Sequence, residues 1–271
     1  MIQKRGFQNN MINKILITGS SGFIGTNLMD FLHNKGFYPH DWDIKNGKDI
    51  FNSNFEQAVE WSDIVIHLAA LTSVQESFKK KKEYKLVNVK GTQRVVDLCK
   101  KYKRKLIYIS SAAVYDEKSS PYAKTKEEAE NIVLGSMNDI PAVILRLFNV
   151  YGPHMNPKSG SIFQRFAQDN PITVYGAGLQ TRDFIHVEDV CKIIYEAFKP
   201  KFNNEIVDVG TGKETTVNTI ANMFKTERNV EIKYKKKRKE VQESIANILM
   251  LRLLYVYKFR TDIKEFIKTL C

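Results

Sequence analysis

Tyr122 and Lys126 stand four residues apart in the run Ser120-Pro121-Tyr122-Ala123-Lys124-Thr125-Lys126. At that spacing two side chains share one face of a helix, a turn apart. Pro121 suits the first turn, which puts both side chains near a helix N-terminus. A phenol, with a reference pKa of about 10, is a poor base at neutral pH. Bringing it to about 7 needs roughly 4 kcal/mol of anion stabilisation, at about 1.4 kcal/mol per unit. A unit charge ~4 Å away, at an effective dielectric of about 20, supplies that much. The Lys126 ammonium can be that charge, so the pair reads as a proton acceptor and its tuner. Taken alone, the same residues also read as an exposed tyrosine on a lysine-rich helix. Ser111, at the end of the apolar run Leu106–Ser110, is open in the same way. A strand-end serine caps turns as readily as it binds substrate.

A second constellation, far upstream, favours the chemical reading. Lys14-Ile15-Leu16-Ile17-Thr18 has strand character, and Gly19-Ser20-Ser21-Gly22-Phe23-Ile24-Gly25 follows at once. A helix pattern then opens, with Ile24, Leu28, Phe31 and Leu32 along one face. Strand, glycine turn and helix together make a dinucleotide site. Gly19 allows the tight turn, Gly22 lets backbone approach a pyrophosphate, and Gly25 lets the helix pack on the sheet. About twenty residues on, where a carboxylate would hold ribose hydroxyls, Asp43 ends a second strand. Asp41 competes for that role. Asp43 is preferred because Ile44-Lys45-Asn46-Gly47 reads as the turn just after it.

With both halves in view, the chain resembles an extended short-chain dehydrogenase/reductase of the NAD-dependent epimerase/dehydratase family, and most closely its nucleotide-sugar 4-epimerases. The motifs that carry the resemblance run in family order. They include the Thr18–Gly25 loop, Asp49-Ile50, His67-Leu68-Ala69-Ala70, Val74-Gln75-Glu76-Ser77 and Asn88-Val89-Lys90-Gly91-Thr92. Ser110-Ser111-Ala112-Ala113-Val114-Tyr115, Tyr122 to Lys126 and Arg146-Leu147-Phe148-Asn149-Val150-Tyr151-Gly152-Pro153 follow. The last are Gln180-Thr181-Arg182-Asp183-Phe184-Ile185-His186-Val187 and Asp208-Val209-Gly210-Thr211-Gly212.

The resemblance implies roles. Tyr122 takes the proton from a sugar hydroxyl as NAD accepts hydride from the same carbon. Lys126 lowers the phenol pKa and holds the nicotinamide ribose, and Ser111 hydrogen-bonds the reacting oxygen. NAD would rest on Gly19, Ser21, Gly22, Phe23, Ile24, Gly25, Asp43, Asp49, Ile50, Leu68, Ala69, Ala70, Asn88, Tyr122 and Lys126. Asn149 and Arg182 match positions that contact a substrate diphosphate, with Arg238 as a second phosphate ligand. Arg182 also reads as a structural partner for Asp183 or Asp189. Dehydratases of the family carry an Asp-Glu pair after the serine. Here Ala112 and Ala113 stand there and cannot exchange a proton, which argues against water elimination. Asp43 would repel a 2′-phosphate, favouring NAD over NADP, although Lys45 is close by. The segment from Asp116 to Pro121 is much shorter than the insertion relatives carry there.

Around these residues, apolar runs alternate with helical patterns. Strands are expected at Ile15–Thr18, Tyr38–Asp43, Ile64–Leu68, Leu106–Ser110, Val143–Leu147 and Ile206–Val209, and helices at Lys85–Tyr102 and Tyr122–Leu134 among others. That alternation predicts an α/β fold, a Rossmann-type doubly wound parallel sheet with its ligand beyond the strands' carboxyl ends. Residues 11–150 form the expected NAD-binding domain, with returning segments near 183–210, and residues 151–271 are mainly a smaller substrate lobe. The chain has 271 residues and a formal net charge of +12. Its lysine runs, Lys79 to Lys82 and Lys233 to Lys239, lack a recognition motif or stacking platform, so they read as solvated and no specific nucleic acid is expected. The second run also reads as a possible face for a substrate diphosphate. Residues 1–13 lack the apolar core of a signal peptide, and the apolar stretch Ile245 to Val256 is too short to span a bilayer. Three scattered cysteines read as reduced thiols in a cytoplasmic protein, and the five histidines show no metal-ligand spacing. The expected activity is therefore NAD-dependent epimerisation at C4 of a nucleoside-diphosphate sugar. A net reductase of such a sugar and a catalytically quiet dinucleotide-binding scaffold are the alternatives. Relatives commonly form homodimers, implying one here through the two helices named.

Overall fold

The computed structural model describes residues 14–157, 160–237, 241–255, 258–260 and 262–271. The apolar runs become β1 (Ile15–Thr18), β2 (His40–Trp42), β3 (Ile64–His67), β4 (Lys105–Ser111) and β5 (Ala142–Leu147). Short strands β6 (Asn149–Tyr151), β7 (Ile172–Tyr175), β8 (Thr181–Arg182) and β9 (Phe184–His186) follow, then β10 (Glu205–Val209), β11 (Thr215–Thr216) and β12 (Ile232–Lys235). Six strands form one parallel sheet in the order β10-β5-β4-β3-β1-β2. Helices α1 (Phe23–His33), α2 (Phe55–Trp61), α3 (Val74–Lys79), α4 (Lys81–Tyr84), α5 (Gly91–Tyr102) and α6 (Pro121–Leu134) occupy the crossovers. The later helices are α7 (Ile162–Gln168), α8 (Val187–Glu196), α9 (Val217–Arg228), α10 (Leu249–Leu254) and α11 (Ile263–Lys268).

Period-2 alternation divides each strand between two cores. Ile15 and Ile17 face Leu28 and Leu32 of α1 and Val190, Ile193 and Ile194 of α8. Leu16, Val65 and Ile144 face the other way, onto Val59, Val95, Cys99, Ala129 and Val133 of α2, α5 and α6. Burial on both faces explains why these strands read as continuous apolar runs. A third cluster gathers Phe163 and Phe166 of α7, Ile172 and Val174 of β7, Phe224 of α9 and Phe266 of α11. No helix among the described residues is long and apolar enough to cross a membrane.

Strand order places the ligand crevice. The chain leaves β1 toward β2 on one side and returns to β3 on the other, so the carboxyl ends of β1 and β3 flank a switch point. Thr18 is in register with His67 there, and Ser111 with Leu147 further along the same edge.

Two expectations are corrected. The second strand is shorter than Tyr38–Asp43, because Asp43 leaves the sheet to cap a 3-10 turn at Ile44–Asn46. The helix expected over Lys85–Tyr102 opens with a π-helical stretch, Lys85–Lys90, before α5 begins. Widened turns of this kind recur near functional sites. Here the stretch carries Asn88, whose amide is used as described below.

Candidate active site

The glycine loop is closed to side chains by its own backbone. Gly19 adopts φ +74°, and a Cβ there would lie 2.7 Å from the Ala69 nitrogen. A Cβ on Gly25 would run into the Gly19 carbonyl oxygen and, at 2.7 Å, the Ser20 backbone. The Leu68 N–H donates to Thr18 O (3.0 Å), so the Leu68–Ala70 loop sits directly against the glycine turn. Gly22 starts α1, and no side chain caps the first turn that Phe23 and Ile24 open. Uncapped N–H groups facing a turn that admits only glycine suit a pyrophosphate.

Asp43 joins this loop to the next element. One carboxylate oxygen accepts from Ser21 N at 3.0 Å and the other from Lys45 N at 2.9 Å. Asp41 instead pairs with Lys48 at 2.8 Å and takes the Asn46 amide. Of the two, Asp43 is the carboxylate beside the glycine loop. Lys45 Nζ donates to Ser21 O at 3.0 Å. Asp49 accepts from Phe51 N, and Ile50 is buried against Gly91 in the α2–α5 core. Asn88 is spent on the fold. Its oxygen accepts from Leu71 N, and its amide hydrogens go to Leu71 O and Thr125 Oγ1. It fixes the loop after β3 to α6, and so acts on the crevice through that loop.

The β4–turn–α6 unit brings the proposed chemical groups together. Ser111 ends β4 and starts a 3-10 turn, Ala112–Asp116, its Oγ accepting from Ala113 N at 3.2 Å. Four residues later Ser120 caps α6, accepting from Ala123 N, with Pro121 in the first turn. Tyr122 and Lys126 are both buried. Lys126 Nζ donates to Ile109 O at 2.7 Å and lies 4.5 Å from the centre of the Tyr108 ring.

The electrostatics differ from the expectation that Lys126 lowers the tyrosine. Burial raises the Tyr122 phenol, and the Ser111 hydrogen bond is what opposes that rise. Burial also pushes the Lys126 ammonium down to about 7, against the pull of the Glu130 carboxylate. The hydrogen bond that Lys126 Nζ donates goes to the Ile109 carbonyl oxygen.

Around this triplet lie polar groups to which the sequence assigned no role. His67 bridges Thr18 Oγ1 (2.7 Å) and Thr92 Oγ1 (3.1 Å), and burial pushes it down to about 3, so it is neutral at physiological pH. Glu130, one turn beyond Lys126, accepts from Ser110 Oγ at 2.5 Å and from Arg146 Nη2 at 2.8 Å. The i, i+4 spacing from Lys126 to Glu130 was the available signal.

Asn149 and Arg182 line one cavity of about 280 Å³, together with Ser161, Arg165, Tyr175 and Gln180. Asn149 Nδ2 donates to Asp183 O at 3.2 Å, and Arg182 Nη1 to Thr181 O at 2.7 Å. The carboxylates weighed as partners of Arg182 are engaged elsewhere. Asp183 accepts from Thr211 N, Thr211 Oγ1, Gly212 N and Ala246 N, and Asp189 from Arg260 N and Lys192. Arg165 and Tyr175 were not singled out from sequence. The guanidinium of Arg165 lies 5.7 Å from the centre of the Tyr175 ring. Arg238 lies outside the described residues.

The chain belongs to the NAD dependent epimerase/dehydratase family, whose model matches residues 15–210. A putative UDP-glucose 4-epimerase of Methanocaldococcus jannaschii is 32% identical, over 94% of this chain and 96% of its own. A UDP-N-acetyl-alpha-D-glucosaminuronate decarboxylase of Bacillus cytotoxicus is 30% identical, over 78% and 79%. The crystal structure of UDP-glucuronic acid 4-epimerase from Bacillus cereus, in complex with UDP-glucuronic acid and NAD, superposes with a TM-score of 0.84 at 28% identity, covering 94% of this chain and 96% of that one. The cofactor is NAD, and the glycine cradle, the uncapped start of α1 and Asp43 fit it.

Proposed function

We propose that the chain is a nucleotide-sugar 4-epimerase, of the UDP-glucose/UDP-galactose type or its N-acetyl counterparts. The observation that carries this reading is the placing of Ser111 and the buried Tyr122 on one β4–turn–α6 unit, where Ser111 holds the phenol pKa down against burial, followed by two alanines, Ala112 and Ala113. Bound in the crevice, NAD supplies a hydride acceptor that can return what it took. Ser111 orients the sugar hydroxyl, and Tyr122 receives its proton and later gives it back. Lys126 supplies positive charge close to that exchange, and Asp43 orients a ribose through its carboxylate. Neither Ala112 nor Ala113 can deliver a proton to a leaving hydroxyl, so the 4-keto sugar is reduced again and no water is lost. Asn149 and Arg182 hold the diphosphate in the cavity beyond β6, with Arg238 as a further phosphate ligand. Residues 11–150, with the returning segments near 183–210, are the cofactor domain, and residues 151–271 are mainly the substrate lobe. The protein acts in the cytoplasm as a homodimer.

The test uses a nucleotide sugar carrying deuterium at C4, incubated with purified protein and NAD. The label should remain at C4 of the epimer, without net formation of NADH. Stoichiometric accumulation or consumption of NADH would replace epimerisation by net oxidoreduction. Equilibrium ultracentrifugation tests the homodimer, and a monomer at micromolar concentration would overturn it.

A further inference from the structure

Tyr115 lies within the 3-10 turn that follows Ser111, and its hydroxyl is tied on two sides. Arg146 Nη1 on β5 donates to it at 3.1 Å. Because a guanidinium only donates, the phenol's own proton must go to Asp208 on β10, whose two oxygens lie 2.8 and 2.9 Å away. Asp208 is buried and also accepts from Asn247 N at 3.1 Å. Arg146 is held in turn by Glu130 of α6, through contacts of 2.8 to 3.2 Å. One connected set of hydrogen-bonded groups, Glu130–Arg146–Tyr115–Asp208, therefore runs from the helix of Tyr122 and Lys126 to the turn that follows Ser111.

The turn needs such a tie. A 3-10 segment has poor hydrogen-bond geometry, and runs longer than about four residues are uncommon. This one spans Ala112–Asp116, and only Glu117 to Ser120 separate it from α6, too few to build a cover. Ser111 Oγ accepts from Ala113 N inside the turn, so any unwinding of the turn moves that oxygen relative to Tyr122 at the start of α6.

We propose that Tyr115 and Asp208 are positioning residues, which hold the Ser111 turn against β5 and β10 and so set the Ser111–Tyr122 geometry. The proposal rests on the epimerase reading above. The hydroxyl carries the effect, since the Tyr115 ring has its own contacts with Arg146 (5.0 Å) and Phe148 (6.4 Å) that phenylalanine would keep.

Tyr115→Phe, Asp208→Ala and Asp208→Asn are compared with the unmodified protein by two readouts. The first is steady-state epimerisation, with kcat and KM separated. Tyr115→Phe and Asp208→Ala should lower kcat by roughly tenfold to a hundredfold, the scale of a small misplacement of reacting groups, with KM changed less than about twofold. Asp208→Asn, whose carbonyl can still accept from Tyr115, should recover most of the loss. The second readout is amide hydrogen exchange of residues 111–117, which needs no substrate. Exchange should accelerate in Tyr115→Phe, with other segments unchanged. Unchanged exchange in that segment would overturn the proposal, as would normal kcat or a uniform loss of stability and cofactor affinity. If the unmodified protein epimerises no nucleotide sugar, the functional reading fails, while the exchange measurement still decides whether Tyr115 pins the turn.

Discussion

At the carboxyl edge of the central sheet, Ser111, Tyr122 and Lys126 come from one β4–turn–α6 unit. The cavity lined by Asn149 and Arg182 instead gathers side chains from β6, α7, β7, β8, β9 and the start of α9. The first region is buried and its polar groups are held by nearby backbone, as when Ser120 caps α6 and Lys126 reaches Ile109 O. The second relies on charged side chains carried by short strands, Arg182 among them, half-buried on a two-residue strand. Chemistry that needs a fixed angle between a hydroxyl and a phenol is built from neighbours in the chain. Recognition of an extended ligand needs contacts spread over its length, and those must come from distant segments.

If that division is correct, substitutions in the two regions should separate kcat from KM. Tyr122→Phe should have the largest effect, a fall in kcat of about a hundredfold to ten-thousandfold with NAD affinity nearly intact. Steady-state rates and cofactor titration measure it, and unchanged turnover would remove Tyr122 from the chemistry. Arg182→Ala should leave kcat close to normal and raise KM for the nucleotide sugar, by roughly 1.5–3 kcal/mol of lost charge-assisted hydrogen bonding. A drop in melting temperature with normal KM would show that Arg182 serves the fold.

Asp43→Ala sharpens the comparison from the cofactor side, and should weaken NAD by about tenfold and narrow its advantage over NADP. Titration with both dinucleotides checks this, and tighter NADP binding by the unmodified protein would contradict the role of Asp43. The smallest effect concerns stability. His67 is held neutral in the fold down to about pH 3, whereas the unfolded chain takes up a proton near the ordinary value of 6.5. Below that value the unfolded state binds more protons, so stability falls as pH falls, by about 1 kcal/mol between pH 6.5 and roughly 5.5. Denaturant melts at the two pH values should show that loss, and His67→Gln should reduce it.

The sheet was legible because its strands are apolar on both faces and bounded by glycine turns, as at Ile15–Gly19 and Ile206–Gly210. Asp43 was readable from its place before a turn, since the turn takes it out of the sheet toward the glycine loop. The π-helical stretch at Lys85–Lys90 was not, because its apolar spacing fits an ordinary helix. Its Asn88 makes contacts that are joined only through space, bridging Leu71 and Thr125.

Sequence alone determined the groups whose partners lie within a turn or a strand of one another: the glycine cradle, the Tyr122 and Lys126 spacing, and the serine at a strand end. Local geometry is set by backbone dihedrals, which residue type constrains directly. Tertiary structure decided the rest. Lys126 was expected to lower the phenol, but burial governs both groups and directs the ammonium to a carbonyl. Arg165 and Tyr175 meet Arg182 in one cavity only because α7, β7 and β8 are folded together. Desolvation and cavity shape depend on every segment that closes around a group, and no spacing along the chain encodes them.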